Sequence, residues 1–211
     1  MKLVELKYDK NKHKENIIKY NGFHGEFFEP LKVIFRVKGE LLGGGCLKVY
    51  GGVYGYDLFN PYSFFQEMLK GLAFLLDEGK HTRRYYYRKD VEQHGPIDQI
   101  KNPDLAYYAY DLGFMYNDYT LELGKEKDEL IIHYYNDPLS YTDCEEYKGK
   151  DSGSIRAPLK EFTKEIVKLA EKYIDLLKST NVEEIDHDIK FLENLLTDIK
   201  KYYKERYGEE L

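Results

Sequence analysis

The chain of 211 residues has no tryptophan and only two cysteines, Cys46 and Cys144. Two thiols so far apart are too few for a disulfide-built secreted domain, and neither belongs to a zinc-binding CxxC pair. They read as reduced thiols of a cytoplasmic protein. No apolar run approaches the ~20 residues that cross a bilayer; the longest runs only from Gly71 to Leu76. The opening MKLVELKYDKNKHKEN carries no apolar h-region, so no secretion signal is predicted. Positive charge is in deficit, with 32 Lys and Arg against 38 Asp and Glu, a net charge of −6. That balance disfavours a general nucleic-acid binder and leaves only a local basic patch to that class.

Motifs that carry chemistry are missing as well. Gly43-Gly44-Gly45 and Gly51-Gly52 run back into strand-like sequence, whereas a phosphate loop must open a helix N-terminus. A hairpin turn and a bulge account for these glycines, and no nucleotide cofactor is expected. The six histidines, His13, His24, His81, His94, His133 and His187, form no HxxxH or HExxH pair. His24-Gly25-Glu26 matches the HxE of zinc deaminases but lacks the partner PCxxC. Asp186-His187-Asp188 has ligand-type residues, yet acids at the start of a helix are favoured by the helix dipole. No metal site is therefore predicted. There is no GxSxG, and Cys144 stands among Asp143, Glu145 and Glu146, whose charges oppose a reactive thiolate. No catalytic residue is assigned.

What is present is a foldable sequence, 42% hydrophobic and 33% charged, long enough to bury a sizeable core. It carries 22 Tyr and 11 Phe. The abundance of Tyr, Lys, Asn and Ile is what an AT-rich genome encodes, so tyrosine clusters are not automatically binding sites. Leu3 to Tyr8 reads as a strand ended by Asp9-Lys10-Asn11-Lys12, and Ile17-Ile18 as part of a second short strand before an Asn21-Gly22 turn. Leu31, Val33, Phe35 and Val37 alternate with mostly polar neighbours, the period of a half-buried strand. Gly39-Glu40 breaks it. Cys46 to Leu58 resumes as a strand bent by glycines.

A helix follows, with Asn60 as N-cap, Pro61 in the first turn and Gly79 as stop. Phe65, Met68, Leu69, Leu72, Leu75 and Leu76 give it one apolar face. Strands are predicted over His81–Val91, Leu105–Tyr116, Tyr119–Leu123 and Glu129–Tyr135, the last two joined by a 124–128 hairpin loop. Leu121, Leu123, Leu130 and Ile132 form their inward set. The polar stretch Asn136–Ser154 is long for a loop, and Ile155 closes the sheet. Pro158 opens a helix with Leu159, Phe162, Ile166, Leu169, Tyr173 and Leu177 on one face. After Ser179-Thr180-Asn181 a last helix carries Ile185, Ile189, Leu192, Leu196, Ile199 and Tyr203.

The fold class is therefore α+β: a mostly antiparallel meandering sheet with one packed helix and a C-terminal helical hairpin. Residues 1–157 are assigned to the sheet core with helix 61–78, and residues 158–211 to the hairpin packed on the same domain.

Two patches stand out. Lys80 to Lys89 holds Arg83, Arg84 and Arg88 around Tyr85, Tyr86 and Tyr87, three of the six arginines in the chain. Arginine with tyrosine suits a protein-binding hot spot and also a stacked base. A strand with packed tyrosines and solvated arginines fits the same residues. The second patch is acidic, with Asp137, Asp143, Glu145, Glu146 and Asp151. It steers a basic partner or is simply solvated. Arg83, Arg84, Tyr85, Tyr86, Tyr87, Arg88, Asp143, Glu145 and Glu146 are the candidate partner-binding residues.

From Leu31 to Lys178 the layout resembles the small α+β immunity proteins of bacterial polymorphic-toxin systems. The likeness centres on Gly153-Ser-Ile-Arg-Ala-Pro-Leu-Lys-Glu-Phe162, a strand running through PLxEF into a long amphipathic helix. The final helix from Val182 departs from the shorter pattern of that class. The resemblance implies a non-catalytic protein that binds and blocks a toxin, with no cofactor. The partner expected is thus another protein, a toxin or a defence protein. Alternatives are a phage-encoded counter-defence inhibitor and a hydrolase without a recognisable motif, built on scattered carboxylates with His133 or His24.

Overall fold

The computed structural model describes residues 2–23, 31, 33–43, 47–49, 52–54, 61–78, 109–114, 117–124, 128–136, 150 and 152–211. Strand β1 (Val4–Lys7) is followed by helix α1 (Lys10–Tyr20), then β2 (Ile34–Val37), β3 (Glu40–Gly43), β4 (Leu47–Val49) and β5 (Gly52–Tyr54). Helix α2 (Pro61–Asp77) precedes β6 (Ala109–Phe114), β7 (Asn117–Leu123), β8 (Glu129–Asn136) and β9 (Ser152–Pro158). Helices α3 (Leu159–Lys178) and α4 (Asp186–Tyr207) end the chain, with a 3-10 turn at Glu183–Ile185 between them. The class is α+β, every strand pairing among the described residues is antiparallel, and the last two helices form the expected hairpin. Among the described residues the strands form three groups, in the orders β1-β2-β3, β4-β5 and β6-β7-β8-β9.

The first departure from the sequence reading is α1, a helix where a short strand around Ile17-Ile18 was expected. The strand does end before Asp9, as expected, but Asp9 then caps a helix. Its carboxylate accepts from the N–H groups of Asn11 and Lys12, both at 3.0 Å. Asn21, with φ 53°, ends it. The buried positions are His13, Asn16 and Ile17. Two of these three are polar, so the helix carries almost no apolar period.

The second departure lies at 47–54. Leu47 pairs with Tyr54 and Val49 with Gly52, so the chain reverses into a hairpin instead of continuing as one bent strand. Lys38 and Gly39, both at positive φ, make the turn from β2 to β3. The inward set of the preceding segment is as expected, with Leu31, Val33, Phe35 and Val37 all buried.

Helix α2 differs in degree. Every residue from Gly71 to Asp77 is buried, together with Phe64, Phe65, Met68 and Leu69. The C-terminal half of the helix, buried all round, lies inside the core, while Tyr62, Ser63, Gln66, Glu67 and Lys70 leave one side of its first half partly exposed. Phe64 meets Phe35 of β2 at a ring separation of 4.8 Å, and Phe65 stacks on Tyr173 of α3 at 4.8 Å. Glu78 stands in the left-handed region just past its end; Asn60 and Gly79 lie outside the described residues.

In α3 and α4 the predicted stripes hold, except that Leu169 is only partly buried. Each fully buried Leu, Ile or Phe contributes roughly 1.5–3 kcal/mol. The pair is antiparallel: Lys178 bridges Glu193 and Lys200 bridges Glu171, each at 2.7 Å. Helix α3 begins where β9 ends, and the Leu159 N–H donates to Asp128 O at 2.8 Å. One hydrophobic cluster takes in β1, β2, α2, the inner face of β7–β9 and both C-terminal helices.

Candidate functional site

The sequence-predicted partner-binding residues Arg83, Arg84, Tyr85, Tyr86, Tyr87, Arg88, Asp143, Glu145 and Glu146 lie outside the described residues. So do His24, His81, His94 and both cysteines. Three histidines remain. His187 is 91% exposed on the first turn of α4, 4.0 Å from Asp188, whose carboxylate accepts from Tyr62 Oη at 2.8 Å. The acids here serve a helix start and a link to α2. Among the described residues no three His, Cys, Asp or Glu side chains converge as metal ligands.

His133 is the histidine that gathers partners. The β7–β8–β9 register places Thr120 opposite His133, and His133 opposite Ser154. Alternation sends Leu121, Leu123, Leu130, Ile132, Tyr134 and Ile155 inward, where all are buried. It therefore sends Glu122, Glu129, His133, Ser154 and Arg156 outward. His133 Nδ1 lies 2.7 Å from Ser154 Oγ, and its Nε2 lies 2.8 Å from Glu122 Oε2. A carboxylate has only acceptors, so Nε2 carries the proton in the neutral ring. Nδ1 is then the acceptor, and the Ser154 hydroxyl donates to it. Glu, His and Ser thus form one polarised row across three adjacent strands.

The row sits in a charged surround. Arg156 pairs with Glu129 on the same outer face. Lys38 Nζ donates to the Arg156 carbonyl at 2.6 Å, tying the β2–β3 turn to the outer edge of β9. On the other side of the sheet, near Tyr134, Lys150 pairs with Glu40 at 3.2 Å. On the inner face, burial and then the nearby Glu40 carboxylate raise the Tyr134 hydroxyl above its ordinary value.

A second, buried cluster surrounds His13. Its Nε2 is 3.1 Å from Tyr173 Oη, and the ring stacks on Tyr173 and Phe23 with Tyr8 edge-on. Burial pushes the Tyr8 hydroxyl well above its usual range. Tyr62, stacked on Phe23, is raised by burial first and by Asp188 second. These contacts join α1, α2 and α3 with Tyr8, just past β1, and Phe23, just past α1, and they read as an aromatic part of the core holding one histidine.

A surface groove of about 510 Å³ runs between α3 and α4, lined by the Lys178–Glu193 and Lys200–Glu171 pairs, Asn194 and Thr197. Four of its charges are paired across the groove, and Asp175 lines it beside them.

The sequence reading named His133 but attached no serine to it. Only the signal of alternation was there: outward positions on neighbouring strands, without the register that makes them neighbours. No protein-family model, curated protein or solved structure matches the chain.

Proposed function

We propose that this chain works by binding another protein and occupying it, as a toxin-neutralising immunity protein. The observation that carries this reading is the outer face of β7–β9. Glu122, Glu129, His133, Ser154 and Arg156 project from three paired strands and are held by mutual contacts. Polar groups fixed on a rigid element lose little entropy when a partner docks, which suits specific recognition. The strand-to-helix passage Gly153–Phe162, on which the resemblance to immunity proteins rests, runs through β9, which contributes Ser154 and Arg156 to this face.

The test is co-expression in bacteria with the toxin domains encoded beside its gene. Restored growth and a stable one-to-one complex on gel filtration with light scattering are expected. The charge reversal Arg156→Glu should weaken that complex at least tenfold. Persistent toxicity with every neighbouring toxin, and a chain that elutes alone, would overturn the reading.

A further inference from the structure

We propose that Ser154 is an activated nucleophile and the outer face of β7–β9 an acyl-accepting site. The idea is independent of toxin binding and rests on the Glu122–His133–Ser154 row alone.

Serine is a weak nucleophile unless a base takes its proton, and the base must itself be oriented by a third group. All three parts are present. Ser154 Oγ is 2.7 Å from His133 Nδ1, within reach for proton transfer. Glu122 at 2.8 Å from Nε2 selects the tautomer that leaves Nδ1 free to accept, and holds the ring in place. Glu122 is a positioning residue here, since it does not touch the reacting atoms. The side chains of His133 and Glu122 are 45% and 28% exposed, so a reagent reaches the row from solvent.

Strand geometry adds a donor. Residues two apart on a strand direct their backbone groups to the same edge. The Arg156 carbonyl meets Lys38 Nζ on the edge away from β8. The Ser154 N–H therefore points to that edge too, outside the β8 ladder, and is a donor available to the oxyanion that develops on the substrate's former carbonyl oxygen. Pro158, with no N–H, fits the same parity.

The step balances without a cofactor. Ser154 Oγ attacks the carbonyl carbon of an activated ester, and His133 Nδ1 takes the hydroxyl proton. The bond from that carbon to the leaving oxygen breaks, and the proton passes to the departing alkoxide or phenolate. O-acyl-Ser154 and a free alcohol remain.

A reporter-tagged alkyl fluorophosphonate tests this on the full chain, by forming an Oγ–P bond with loss of fluoride. Peptide mapping should place the adduct on Ser154 at least tenfold above Ser152, which shares the strand and face but pairs with Tyr135. Ser154→Ala should remove it. His133→Gln should slow labelling about 100-fold, the scale of general-base assistance. Glu122→Gln should lower the maximal labelling rate and leave the half-saturating probe concentration unchanged. Both serines would gain exposure together in a variant that unfolds, so their ratio remains a valid readout. Equal labelling of Ser152 and Ser154, or full-rate labelling in His133→Gln, would overturn the proposal.

Discussion

Tyr134 lies over Gly153 on the neighbouring strand, so closely that a Cβ at 153 would sit 2.7 Å from Tyr134 Oη and 2.9 Å from Cζ. The two residues are paired in register, and the tyrosine is buried. Glycine is required there because the ring occupies the space a side chain would take.

Gly153→Ala should therefore destabilise the protein by about 1–3 kcal/mol, the usual range for overpacking. The midpoint of urea unfolding is the measurement, and it should fall with an unchanged slope. Ser152→Ala, next along the same strand and exposed, should leave the midpoint where it is.

Two ion pairs of the helical layer should respond very differently. Arg206 Nη1 donates to the Leu76 carbonyl and pairs with Glu78, both at 3.3 Å, with side-chain exposures of 12% and 19%. It ties the end of α4 to the end of α2. Arg206→Ala strips a half-buried carboxylate and a helix-end carbonyl of this donor, and should cost about 2 kcal/mol. Lys178 and Glu193 are 54% and 45% exposed. Lys178→Ala should leave the melting temperature almost unchanged, because water screens such pairs. Thermal melts of the two variants side by side check the contrast; equal losses would contradict it.

Past Gly208 the chain folds back, and Glu209 reaches Lys164, Lys160 and Tyr203. The Lys164 hydrogen bond first, then Tyr203 and Lys160, lower its carboxyl from 4.5 to about 2. A depressed folded-state value means stability that is present above the unfolded value and lost on acidification. The loss should run from about pH 4.5 down through about pH 2. Glu209→Gln should flatten that part of the melting temperature–pH curve and leave its shape unchanged above pH ~5. An identical acid limb in both proteins would contradict the clamp.

The stripes of α3 and α4 and the inward sets Leu31–Val37 and Leu121–Ile132 were readable along the chain. Side-chain period is a local property, and each element buries one face. Helix α1 was not readable, because its buried positions include His13 and Asn16 and its cap is an aspartate in a lysine-rich run. The all-round burial of the C-terminal half of α2 was not readable either; one apolar stripe is visible in sequence, and a second covering layer is not.

The amino-acid order alone determined the α+β class, the hairpin of C-terminal helices and the alternation of the strands, since each follows from periods of two or 3.6 residues. The meeting of Glu122, His133 and Ser154 was decided by tertiary structure. They lie on three strands, and a shift of one residue in either pairing would send one of them to the other face. Register is a long-range agreement between strands, and no single strand encodes it.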